Sequence, residues 1–107
     1  MFNMEMAEKL KLLGDKTRLT IMGLLKDKEW CVCDLVEILN MSQPNVSQHL
    51  RKLKAQGLVK ETRRAQWVYY SLDIDTEPYI QTILNALPDT QTLLSLLKGD
   101  YTECACD

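Results

Sequence analysis

The chain has 107 residues, 46% of them hydrophobic and 26% charged, with a net charge of −2; the length suits one domain and the balance is that of an ordinary soluble globular protein. No apolar run approaches the ~20 residues of a membrane span, and Met1-Phe2-Asn3-Met4-Glu5 lacks the basic flank and long apolar stretch of a signal peptide, so the expectation is a cytoplasmic protein with no membrane partner. In that reducing compartment the four cysteines are expected as thiols or metal ligands, not as structural disulfides.

In chain order, residues 4–13 predict a helix with Met6, Ala7, Leu10 and Leu13 on one stripe. Asp15 is placed to cap a second helix carrying Leu19, Ile21, Met22, Leu24 and Leu25. A third helix is predicted over residues 32–40, where Val32, Leu35, Val36 and Leu39 follow the i, i+3, i+4, i+7 spacing of an apolar face. After the short turn Asn40-Met41-Ser42, Ser42 caps a fourth helix reaching about Gln56, and Pro44 is tolerated in its first turn, where no intrahelical N–H bond is lost. Gly57 ends that helix, since it takes the left-handed conformation at no steric cost.

From Leu58 the pattern turns β-branched and aromatic. Leu58-Val59-Lys60-Glu61-Thr62 and Trp67-Val68-Tyr69-Tyr70-Ser71-Leu72 read as a hairpin, with Arg63-Arg64-Ala65-Gln66 as its basic tip. A last helical region over residues 75–98 carries Tyr79, Ile80, Ile83, Leu84, Leu87, Leu93, Leu94 and Leu97, kinked or interrupted at Pro88. The fold expected is mostly α with a β-hairpin wing, a winged helix-turn-helix of order α-α-α-α-β-β-α. It occupies residues 1–99, and residues 100–107 form a cysteine-bearing tail.

The charge distribution points to a polyanion. Residues 49–64 hold Arg51, Lys52, Lys54, Lys60, Arg63 and Arg64 against the single carboxylate Glu61, while the rest of the chain is acidic; a compact basic segment on an acidic body is the footprint of a DNA-binding edge. At ~100° per residue, Val46, Leu50 and Leu53 form the inward stripe of the fourth helix. Gln48 and Arg51 lie opposite, flanked by Asn45, Ser47 and Lys52, with Ser42 and Gln43 at the helix start. Gln and Asn form paired bonds to adenine, Arg forks onto guanine, and Ser and Lys suit phosphates. No carboxylate occurs between Ser42 and Gly57. His49, the one histidine of the chain, sits on the flank as a phosphate or packing contact. Arg63 and Arg64 are placed to meet the DNA backbone or minor groove, giving affinity more than sequence choice. One such helix reads few base pairs, so specific recognition of double-stranded operator DNA calls for two copies. Tyr79, Ile80, Ile83, Leu84 and Leu87, with Met6 and Leu10, are the expected homodimer interface through the first and last helices.

The cysteines fall into two Cys-x-Cys pairs, Cys31/Cys33 opening the third helix and Cys104/Cys106 in the polar tail. Residues two apart on an ideal helix differ by ~200°, so Cys31 and Cys33 cannot hold one ion within regular helix. Either the pair lies in a non-helical lead-in or binding unwinds the first turn. The helix N-terminus favours the thiolate, and sulfur ligands without histidine select thiophilic ions: As(III) or Sb(III) with three sulfurs, Cd(II), Pb(II) or zinc with up to four. A thiol-redox switch is the third reading. Catalysis is not expected, since there is neither a Cys-x-x-Cys motif nor a local cysteine–histidine pair.

Three stretches resemble the ArsR/SmtB family of metal-responsive repressors. They are Leu13-Gly14-Asp15-Lys16-Thr17-Arg18-Leu19, Cys31-Val32-Cys33-Asp34-Leu35, and Gln43-Pro44-Asn45-Val46-Ser47-Gln48-His49-Leu50 through Gly57-Leu58-Val59. The resemblance covers nearly the whole chain and implies a dimeric repressor that leaves its operator when an inducer ion binds. The middle stretch is similar to the cysteine box of the arsenic and cadmium/lead branches. Three departures narrow the ligand set: Val36 stands where enterobacterial-type arsenic repressors carry a third cysteine, no cysteine-bearing N-terminal arm is present, and the last helix has no histidine for a zinc site. Arsenic sensors that look similar use C-terminal cysteines, so the resemblance implies Cys104 and/or Cys106 beside Cys31 and Cys33, and arsenite or antimonite as inducer of a resistance operon. A cadmium- or lead-responsive repressor using all four thiolates is the alternative.

Overall fold

The computed structural model describes residues 4–73 and 77–97. Two helices, α1 (Met4–Leu13) and α2 (Lys16–Leu25), lead to a short strand β1 (Trp30–Cys31). Then come α3 (Val32–Leu39), α4 (Gln43–Ala55), the strands β2 (Val59–Arg64) and β3 (Trp67–Leu72), and two further helices, α5 (Pro78–Ala86) and α6 (Thr90–Leu97). The mostly helical winged helix-turn-helix expected from the sequence is present.

The predicted caps form. The Asp15 carboxylate accepts the Arg18 backbone N–H at 3.1 Å, and Ser42 Oγ accepts that of Asn45 at 3.3 Å, each satisfying an orphan donor of a first helical turn. Asn40 closes α3 in the left-handed conformation, φ 54°, and Met41 N–H reaches back to the Val36 carbonyl at 3.4 Å. This is the turn that sets α4 against α3. Gly57 takes φ +74° and Leu58 N–H bonds the Leu53 carbonyl at 3.0 Å. Chain direction thus reverses within two residues and β2 starts beside α4.

Among its secondary-structure elements the structure departs from the sequence reading in two places. β1 has no counterpart among the predicted elements, because two residues carry no periodicity; it pairs antiparallel with β3 (Trp30 opposite Tyr70, Cys31 opposite Tyr69), giving a sheet of order β1-β3-β2. The wing strand extends further than expected. Arg63 and Arg64 pair with Val68 and Trp67 inside the ladder, so the tip is only Ala65-Gln66, with Ala65 at φ 55°. The last helical region is interrupted at Pro88, as expected, because proline forces the preceding residue out of the helical region: Leu87 is extended at φ −79°, ψ 148°. Asp89 then restarts the chain as α6, its carboxylate accepting the Thr92 N–H at 2.8 Å.

One apolar core joins these elements, with Ile21, Leu24, Leu35, Leu50, Leu53 and Ile80 fully buried. α6 approaches α2 so closely that a Cβ on Gly23 would lie 2.7 Å from a Leu93 methyl. Ile80 and Leu84 are buried in this core. Those two residues therefore serve the single chain, contrary to their expected place at a dimer interface, while Leu10 and Leu96 are large apolar side chains left exposed. Among the described residues no helix is long and apolar enough to cross a membrane.

Candidate nucleic-acid interface and thiol site

α4 buries Val46, Leu50 and Leu53 completely. Its opposite face exposes Gln43, Asn45, Gln48, Arg51 and Lys52, with Ser42 exposed at the cap and Ser47 and His49 half-buried. Gln43 Nε2 donates to Ser47 Oγ at 2.8 Å, one turn on. Gln43, Ser47 and Arg51 form one wall of a groove of about 310 Å³; Glu61, Arg63 and Tyr70 from the wing form the other. A helix face of amide, hydroxyl and guanidinium groups beside a basic wing offers base-edge and phosphate contacts together.

The wing cations have carboxylate partners. Arg64 forms a bidentate pair with Glu29, which leads into β1, and its guanidinium lies 5.0 Å from the Tyr69 ring centroid. Glu61 accepts from Lys54 of α4 at 2.9 Å, from Arg63 at 3.2 Å and from the Tyr70 hydroxyl at 3.2 Å. The Lys54 hydrogen bond is the main reason its carboxyl is held below the ordinary value. Such exposed pairs are weak and tie the wing only loosely to α4 and to the lead-in of β1. The signal for Glu61 is its opposite charge in an otherwise basic run; Glu29 gives none.

His49 is held from behind. Its Nδ1 lies 3.1 Å from Arg18 Nη1, and Arg18 also donates through Nε to the Leu12 carbonyl at 2.7 Å. Desolvation lowers the imidazole pKa, Asp15 opposes this, and Arg18 and Lys52 reinforce it.

The Cys31 and Cys33 sulfurs converge, but only Cys31 is a free thiol; Cys33 is disulfide-bonded, contrary to the expectation of thiols or metal ligands alone. Cys31 is the last residue of β1 and the cap residue of α3, with extended φ −69°, ψ 145°; Cys33 is in the first turn. Because Cys31 precedes the regular helix, the ~200° separation does not apply, and the two sulfurs lie 2.8 Å apart. Of the pair, only Cys31 lies in the non-helical lead-in that the sequence leaves open as one alternative; Cys33 is inside α3. Cys31 is buried next to Trp30, whose indole donates to the Leu24 carbonyl at 2.9 Å. No group of three or more metal-ligating residues occurs among the described residues; Cys104 and Cys106 lie outside them.

Comparison with known proteins places these features. A family model described as "Bacterial regulatory protein, arsR family" matches residues 15–61, which run from the α2 cap through α4 into the wing. The chain is 36% identical over 80 residues to the arsenic resistance transcriptional regulator ArsR1 of Pseudomonas putida, covering 74% of this chain and 62% of that one, less than two thirds of the relative's length. It is 35% identical over 83 residues to the arsenical resistance operon repressor of Staphylococcus xylosus, covering 78% of this chain and 80% of the other. Among solved structures, reduced HlyU from Vibrio cholerae superposes with a TM-score of 0.68 at 32% identity, over 76% of this chain and 82% of that one.

Proposed function

The chain belongs to the arsR family of bacterial regulatory proteins, a family of transcriptional regulators and not of enzymes, and from that premise we propose that it is a homodimeric repressor released from operator DNA by arsenite or antimonite. DNA contact is assigned to Ser42, Gln43, Asn45, Ser47, Gln48, His49, Arg51 and Lys52 of α4 and its cap, and to Arg63 and Arg64 of the wing. The ion is assigned to Cys31 and Cys33 with a third sulfur from Cys104 or Cys106. The dimer is assigned to α1 and the last helices, where Leu10 and Leu96 stand exposed.

The observation that carries the ion-sensing reading is the 2.8 Å approach of the Cys31 and Cys33 sulfurs at the junction of β1 and α3. Once Cys33 is reduced, two soft donors converge where histidine is absent, which suits a thiophilic ion. The position also suits control of DNA binding. α3 packs directly on α4, and Cys31 is paired with Tyr69 of the wing strand, so a sulfur-bound ion that moves the start of α3 acts on both halves of the DNA face. The domain assigned is 1–99, with 100–107 as a ligand-bearing tail.

The test is an anaerobic arsenite titration of reduced protein, followed by sulfur-to-arsenic ultraviolet absorption and Trp30 fluorescence in a Trp67→Phe background. Saturation at one arsenic per subunit is expected, strongly weakened in a chain ending before Cys104, and Cys31→Ser is expected to abolish arsenite-induced release from DNA. Release unchanged in Cys31→Ser overturns the site. A four-sulfur cadmium complex, with arsenite inert, transfers the assignment to Cd(II) or Pb(II). The same approach of two sulfurs favours a second reading, a thiol-redox repressor, which predicts release by peroxide in the absence of any ion.

A further inference from the structure

We propose that Arg18 is a positioning residue for DNA binding: it fixes the His49 side chain as a neutral donor whose Nε2–H contacts a DNA phosphate. The inference rests on the DNA-binding reading above and assigns to α2 a part in it that the recognition helix alone does not supply.

Arg18 belongs to the first turn of α2, and its side chain crosses to α4. Nε donates to the Leu12 carbonyl at the end of α1 (2.7 Å), and Nη1 lies 3.1 Å from His49 Nδ1. The backbone N–H of the same residue is held by Asp15 at 3.1 Å. Three elements therefore meet at one guanidinium. A guanidinium is always protonated and only donates, so Nδ1 must accept, and in the neutral ring the proton then sits on Nε2. Ring geometry directs that N–H away from Arg18. On the α4 surface His49 has Asn45 and Lys52 as its i−4 and i+3 neighbours, both exposed and both on the face assigned to DNA. The charged groups facing the imidazole are Asp15 and Arg18 from behind and Lys52 on its own helix. A second proton on the ring would have to face the guanidinium, so the neutral form is the one this packing holds.

A neutral donor has a signature of its own. It adds affinity through a hydrogen bond to a charged oxygen without releasing a counterion, so it leaves the salt slope unchanged. The chain has one histidine, so imidazole nitrogen resonances are assigned without ambiguity. In the intact reduced protein the Nε2–H tautomer is expected almost alone at neutral pH, and Arg18→Met is expected to release the Nδ1–H form as well. On a duplex recovered by the wild-type protein from a random-sequence pool, His49→Ala is expected to lose about tenfold in affinity at unchanged salt slope. Arg18→Met is expected to lose a similar factor, and the double variant no more than either alone. The melting temperatures of His49→Ala and Arg18→Met separate lost folding from lost positioning. Full additivity, a mixed tautomer in the wild type, or a His49→Ala salt slope lowered as for a cation each overturns the proposal. Failure of the wild type to bind any duplex overturns the DNA-binding reading instead, and the tautomer measurement still judges the Arg18 contact.

Discussion

Gly57 is the position where backbone conformation decides how the wing sits on the reading helix. Its φ is +74°, and a Cβ built there meets nothing within 4 Å. Gly57→Ala therefore acts through backbone strain alone, with no steric clash to relieve. Placing an L-residue in the left-handed region costs roughly 1–2 kcal/mol, and the reduced freedom of the unfolded chain returns roughly 0.4–1 kcal/mol. The expected net loss is about 1 kcal/mol, equivalent to about 4–8 °C in Tm for a domain of this size. The assay is thermal unfolding by circular dichroism at one fixed protein concentration, since assembly makes Tm concentration-dependent. Gly57→Asn, whose side chain tolerates this conformation, is expected to lose clearly less. Ala65→Gly at the wing tip, φ 55°, should move in the opposite direction by a similar amount. An unchanged or raised Tm in Gly57→Ala, or an equal loss in Gly57→Asn, would mean that tolerance of the positive φ is not what glycine supplies there.

Three further outcomes are expected. Ser42→Ala removes the α4 cap bond to Asn45 and should cost about 1 kcal/mol, read by urea denaturation; Ser42→Asp should keep most of it. Lys52→Ala should lower the slope of log affinity against log salt by about 0.9 for each phosphate it no longer neutralises, near 2 for a dimer, with little effect on sequence preference; a slope that stays put removes Lys52 from the interface. The Glu61 carboxyl is lowered from its ordinary 4.5, chiefly by the Lys54 hydrogen bond. Its contribution is present above that unfolded value and lost as pH falls through the lower folded one. Glu61→Gln should remove that part of the acid destabilisation, at most ~1 kcal/mol because Lys54 is half exposed, as measured by stability at pH 7 and below pH 4.

The features legible in the sequence are those that local interactions set. The caps at Asp15 and Ser42, the inward stripe of Val46, Leu50 and Leu53, the stop at Gly57 and the break at Pro88 all act within one or two helical turns, and each is where residue type and spacing place it. The exposed face of α4 follows from the same periodicity, since fixing the buried stripe fixes its opposite. The remaining features depend on tertiary packing. Cys31 and Cys33 converge because β1 docks on β3 and keeps Cys31 extended, a pairing between residues far apart in the chain with no local signal in two residues. Arg18 meets His49, and Glu29 meets Arg64, across 31 and 35 residues. Ile80 and Leu84 look like interface from their stripe alone, and packing makes them core. Period and capping state which side of an element is apolar; which other element covers that side, and which polar groups it brings along, depends on docking between distant segments.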